Sequence, residues 1–271
     1  MSSSRFMKNT EHSDSILHHC GLDCLLTIII TLTAFLSPAA DTKTSKVSRG
    51  YSIPLIDLAD ETHRQIIVDR EAGQYLGHPT TVLLEDNKTM LCVYPKGHGR
   101  GGIVYKRSTD AGASWSERLP TPASWSTSQE VPTIHRVVDA GGVKRLIMFS
   151  GLYPIRMAVS EDDGKKWSEL ESIGDFGGIV TMGCVEELKT GAGHYMALFH
   201  DDGRFFKGAG KASRFFVYKT LSIDGGLTWG EPGVIATHAS AHLCAPGIIR
   251  SPDGKPLAVV ARRTTRAPNP A

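Results

Sequence analysis

Ser160-Glu161-Asp162-Asp163-Gly164-Lys165-Lys166-Trp167 reads S-x-D-x-G-x-x-W, and the same eight-residue pattern stands at Ser108–Trp115 and Ser222–Trp229. Spacings of 52 and 62 residues mark an array of supersecondary units rather than a chance match. Each residue type has a mechanical role. Ser and Asp side chains bond nearby backbone N–H groups, Gly permits positive φ, and Trp folds back as an apolar plug. The pattern predicts a tight turn between two strands, once per unit, and bears on the fold rather than on catalysis.

Working outward, the chain divides into units of one shared order. The first has strands at Thr80–Leu84 and Thr89–Tyr94 around a polar turn, then Ile103–Arg107 entering the first box. The second has Thr133–Val138, the turn Asp139-Ala140-Gly141-Gly142, Arg145–Phe149, and Arg156–Val159 entering the second box. In the third, Gly183–Leu188, Tyr195–Phe199 and Phe215–Lys219 do the same. A fourth begins with Gly247–Arg250 and Pro256–Val260, and Tyr51–Asp57 reads as a strand of another unit. A fourth strand leaves each box. Four antiparallel strands per unit of about 50 residues is the arithmetic of a β-propeller blade. A β-sandwich would not place the same box in every unit. The fold class is therefore all-β, a propeller with about three to four blades present.

Composition agrees. Among 271 residues there are 28 glycines and 14 prolines, without a heptad pattern or a long amphipathic helix, which suits short strands joined by turns. A formal charge of +2 and the lack of a Lys/Arg run give no footprint for nucleic acid, which is excluded as a partner. Cys24–Leu36 is an uncharged apolar run of 13 residues, short for a membrane span, and Ser37-Pro38-Ala39-Ala40 after it resembles a signal-peptidase site. Residues 1–40 are read as a signal peptide of a secreted or periplasmic protein, or as an uncleaved anchor. Residues 41–50 are read as a polar linker and 51–271 as the propeller domain. Of five cysteines, Cys92, Cys184 and Cys244 lie in that domain, an odd number without the close spacing of a bridge or metal site. No metal and no cofactor are expected.

The three boxes, each before a segment opening Ser-Glu or Gly-Glu, resemble the Asp-box (BNR) repeats of the sialidase superfamily, and the resemblance covers residues 51–271. It implies a six-bladed propeller, a ligand that is a carbohydrate or glycoconjugate, and exo-hydrolysis of terminal sialic acids. Asp boxes also occur in sortilin-type receptors and some endoglucanases, so they do not assign a substrate. Six blades need about 300–350 residues at this period. The reading is accordingly of a C-terminally truncated ring whose open blade edges offer self-association. The resemblance also implies positions for a site, and this sequence departs from them. The family's Arg-Ile-Pro appears as Gly77-His78-Pro79. No Asp or Glu lies between Asp86 and Asp110, where the family has its acid, and the family's Glu falls near Ala245. Arg262 stands where a second carboxylate-binding arginine would be.

In a propeller, the box face and the opposite face carry different loops, and the opposite face holds most of the candidate residues. Glu130, Asp175, Asp201 and His78 are the candidates for acid/base chemistry, since glycoside cleavage uses a pair of carboxyls. Arg262, Arg156, Arg100, His98, His200, His242 and Tyr153 are candidate substrate contacts, with Trp125 and Phe205-Phe206 as further stacking surfaces. For each carboxylate taken singly, a solvated loop charge is the favoured reading. Two functions stay open: a sialidase-like hydrolase of terminal sugars, and a non-catalytic glycan-binding propeller or inactive fragment.

Overall fold

In the computed structural model residues 54–207, 210–255 and 257–265 are described. The apolar leader, the linker and Tyr51–Ile53 lie outside them, and Pro54–Asp57 carries no strand. Thirteen strands form four antiparallel sheets among the described residues. The first sheet holds β1 (Thr80–Leu83), β2 (Met90–Pro95) and β3 (Ile103–Ser108). In the second, β4 (Thr133–Val138), β5 (Lys144–Ser150), β6 (Arg156–Ser160) and the short β7 (Glu171–Ser172) follow in order. The third has β8 (Ile179–Glu187), β9 (Tyr195–Asp201), β10 (Phe216–Ser222) and β11 (Gly233–Ala236), and the last pairs β12 (His242–Arg250) with β13 (Leu257–Thr264). The first strands β1, β4, β8 and β12 neighbour one another in turn, as the inner strands of successive blades.

Alternation within the middle strands decides the packing. Along β5, Leu146 and Met148 face the first blade, where they join Leu91, Val93 and Tyr105 in one core. Ile147 and Phe149 point the other way, into a second core with Tyr195, Ala197, Phe199 and Trp229 of the third blade. Side chains that alternate between two buried faces give a nearly continuous apolar run, which is the pattern of a blade sandwiched between two others.

The boxes fold as their residues dictate. In each, the serine hydroxyl accepts from the glycine N–H, at 2.8 Å in Ser108/Gly112, 2.8 Å in Ser160/Gly164 and 2.9 Å in Ser222/Gly226. The aspartate then accepts from the backbone four residues on, as in Ser114 N–H to Asp110 at 2.8 Å. Bonds from the Ser114 and Ser108 hydroxyls, and then from the Ser114 N–H, hold the Asp110 carboxyl down at about 2. Two consecutive residues take the left-handed conformation, Ala111/Gly112, Asp163/Gly164 and Gly225/Gly226, so the invariant glycine sits where φ lies near +80 to +90°. Ala111 N–H bonds Lys88 O, and Gly225 N–H bonds Gly193 O, so boxes and first turns share one face.

Some boundaries differ from expectation. The first blade carries no assigned fourth strand, although Ser116 and Leu119 N–H both bond back to β3 at 2.8 Å. β8 begins at Ile179 rather than Gly183, and β12 at His242 rather than Gly247. Both carry register shifts, between Ile179 and Cys184 and between Cys244 and Gly247. Val180, Met182 and Ala245 stand there at φ of 49, 50 and 48°, so bulged inner strands reach into what reads in sequence as linker.

Candidate functional site

The face opposite the boxes is built from the β2–β3, β5–β6 and β9–β10 loops and the links between blades. Non-glycine residues in left-handed conformation gather here: His78, Leu152, Val180, Met182 and Ala245. Such conformations cost of order 1–3 kcal/mol each and persist only where surrounding structure fixes them.

Glu130 stands in the link entering β4. It is 3% exposed, and its Oε1 accepts from Val131 N–H at 2.9 Å. The Ser128 hydroxyl donates to the Glu130 carbonyl at 3.0 Å and lies 2.9 Å from the Ser150 hydroxyl, fixing the backbone beneath the acid. Gly99 and Gly151 have no side chain because Glu130 fills the space; a Cβ on Gly99 would stand 2.9 Å from Oε1, and one on Gly151 3.0 Å from the Glu130 Cβ. Burial raises the carboxyl's pKa, and the Val131 N–H bond, then the electrostatic influence of His78, His98 and Arg100, draw it part of the way back. His78 and His98 lie edge to face at 4.7 Å, with Tyr75 5.8 Å from His98, all three exposed beside the buried acid.

A second group lies on the third blade. Strand β9 runs through His200 and Asp201, so these are strand residues rather than loop residues, and only Asp202-Gly203-Arg204 turns. Asp201 is 0% exposed, and its Oδ1 accepts from Gly203 N–H at 2.7 Å while Oδ2 is buried without a partner. Burial first and the neighbouring Asp202 second push it up to about 7. Burial would also raise Asp202, but Arg204, bonded at 2.8 and 2.7 Å, outweighs it and holds that carboxyl below its ordinary range. Of the acidic candidates, only Asp175 is the solvated loop charge that sequence allows; it accepts a short bond from the Tyr153 hydroxyl.

The remaining candidates divide between structural tasks and the surface. The buried His200 accepts from Ala245 N–H through Nδ1 at 3.2 Å, and burial, then Arg262, pushes it down to about 4. His242 accepts from Phe215 N–H through Nδ1 at 3.2 Å. Arg156 binds Thr127 twice, at 2.8 and 2.7 Å, across to the preceding link. Arg262 is exposed on β13 opposite Cys244, and Arg100 is exposed near Glu130. No arginine trio converges on one point among these contacts. Trp125 is a correction: at 0% exposure, edge-on to Tyr105 and Trp167, it is core and not a stacking surface. Tyr75, Thr181 and Arg204 were not legible as site residues. Thr181 is buried with an unpartnered hydroxyl, 2.9 Å from where a Gly151 Cβ would be. Among the described residues no three His, Cys, Asp or Glu side chains are grouped to hold a metal ion. The thiols of Cys92, Cys184 and Cys244 are free, and burial raises all three, Cys92 to about 12.

No family model and no curated protein matches the sequence. Solved structures do match the fold. The GH93 α-L-arabinofuranosidase of Fusarium graminearum, in complex with arabinobiose, aligns at TM-score 0.55 and 13% identity over 76% of this chain and 63% of its own. A protein of unknown function from Dyadobacter fermentans aligns at 0.53 and 13% identity, over 73% and 65%. An N-acetylgalactosamine deacetylase from F. plautii, in complex with blood group B trisaccharide, aligns at 0.50 and 14%, over 74% and 66%. The chain thus spans about two thirds of the length of these structures or slightly less. The likeness is one of fold: an all-β partial propeller of the kind found in propeller glycoside hydrolases.

Proposed function

We propose that this chain carries the glycan-handling face of a propeller glycoside hydrolase that acts on a terminal sugar, with Glu130 as the proton donor. The observation that carries the reading is the setting of Glu130. A carboxyl there is buried, raised in pKa by that burial, and sited beside the exposed His78, His98 and Arg100. A carboxylic acid whose pKa is raised by burial is suited to protonate a leaving glycosidic oxygen, and the adjoining His78, His98 and Arg100 side chains can meet polar substituents of the sugar. That two solved structures with this fold hold oligosaccharides in their complexes supports a carbohydrate as the ligand. A sialic acid is the less supported choice of sugar, because Arg156 is engaged by Thr127 and Arg262 lies on the far blade.

A second reading, a glycan-binding propeller without turnover, is favoured by one observation. Asp201 is sealed from solvent and Asp175 is bonded by Tyr153, so neither of these candidates among the described residues is a free carboxylate for the two-carboxyl cleavage of a glycoside. Incubation with a panel of aryl glycosides, including an arabinofuranoside and a sialoside, separates the two. Turnover that falls by about 10²–10⁴-fold in Glu130→Gln is the expected result for the hydrolase. Glycan binding without turnover in the unaltered protein would replace it with the second reading.

A further inference from the structure

Two residues along from Gly151, which packs against Glu130, lies an aromatic cleft with a different chemistry. Tyr153, Asp175, Arg204, Phe205, Phe206 and Lys207 line a cavity of about 290 Å³ where the β5–β6 loop meets the β9–β10 loop. We propose that this cleft is a saccharide subsite that stacks the pyranose ring adjoining the terminal sugar. The inference rests on the reading of this face as glycan-handling.

Tyr153 is 47% exposed, yet it is not a free surface side chain. Its hydroxyl is tied to Asp175, and its ring lies nearly parallel to Phe205, with centroids 6.2 Å apart and planes 19° apart. Phe205 is backed in turn by the Arg204 guanidinium, 5.8 Å above its ring, and Arg204 is fixed by the buried Asp202. Backbone bonds tie both loops to the link that follows β7. Leu152 and Gly178 exchange N–H bonds at 2.9 and 3.0 Å, and Gly177 N–H donates to Phe205 O at 3.2 Å. An exposed aromatic held at both ends loses little freedom on binding, which is what a stacking platform for an apolar sugar face requires. Asp175 and Lys207 in the lining add a hydrogen-bond acceptor and a donor for ring hydroxyls. The cavity is at the small end of ligand sites, suited to one ring and not to a whole oligosaccharide. Gly151 packs on the Glu130 Cβ, and Tyr153 follows two residues later, at most about 7 Å along the chain.

The test is isothermal titration of the full chain carrying Glu130→Gln, so that binding is read without turnover. The probes are lactose, cellobiose and 3′-sialyllactose, with methyl β-galactoside and methyl β-glucoside as single-ring controls. Tyr153→Ala and Phe205→Ala should each weaken oligosaccharide binding by about tenfold or more and leave single-ring binding unchanged. Tyr153→Phe, which keeps the ring, should retain most of the affinity. Equal oligosaccharide affinity in the alanine variants, a loss in Tyr153→Phe as large as in Tyr153→Ala, or no binding of any oligosaccharide would each overturn the subsite. Failure of the hydrolase reading is seen separately, as absence of turnover in the unaltered protein.

Discussion

Asp201 and His200 are adjacent in β9 and respond to burial in opposite directions. Asp201 titrates near 3.8 when unfolded and at about 7 when folded, so the folded state keeps a proton that the unfolded chain has released. Its contribution to stability is complete below pH 3.8 and is lost as pH rises towards 7. His200 and the half-buried His135, both pushed down to about 4 by desolvation, do the reverse: they support the fold above pH 6.5 and cease to do so as pH falls to 4. Over the shared interval the two effects oppose each other. Asp201→Asn should therefore make stability rise more steeply between pH 4 and 7 than in the unaltered protein, measured as urea midpoints across that range. A curve as flat as the original would show that Asp201 is ionised in the folded state. At this scale the sequence was readable for chemistry and not for environment. It marks Glu130 and Asp201 as acids that could work, but their burial comes from Gly99, Gly151 and the length of β9, which no local pattern announces.

Box by box, the elements follow their residues closely, and the exceptions are informative. Trp115 and Trp229 each donate from the indole N–H to the glycine carbonyl of their own box, at 3.1 and 3.0 Å. Trp167 does not, because the Tyr105 hydroxyl occupies Gly164 O at 2.8 Å and the Trp167 indole N–H is left buried without a partner. Trp229→Phe should accordingly cost about 1 kcal/mol more than Trp167→Phe, read by chemical denaturation. Equal costs would mean that the indole bond contributes nothing. Ser222→Ala, which strips the acceptor from the Gly226 N–H, should cost about 1–3 kcal/mol. The boxes and the strands feeding them were legible because a polar side chain at a fixed offset determines a turn. The bulges in β8 and β12 were not, since Val180 and Met182 take positive φ against their own preference and only the neighbouring blades hold them there.

For the whole molecule, the segment before β1 is held by charge rather than by a sheet. Asp69 accepts from Arg118 at 2.7 Å and from the Tyr94 hydroxyl, while Lys106 donates to Val68 O at 2.6 Å. Burial alone would raise the Asp69 pKa, but Arg118 and Tyr94 prevail and hold it at about 2. The stabilisation is present above pH 3.8 and is lost as pH falls through 2. Asp69→Ala should destabilise the protein by about 2–4 kcal/mol at pH 7, with the difference shrinking in acid. A pH-independent difference would assign the effect to packing. The blade architecture could be inferred from a repeated turn, whereas this strap could not, because its partners lie 25 to 49 residues away with no periodicity to link them. The Tyr105–Gly164 bond also bears on how such a molecule can be rebuilt. The hydroxyl that completes the second box belongs to the blade before it, so a blade transplanted alone would arrive with its turn but without its latch. The second box is therefore complete only with the first blade beside it.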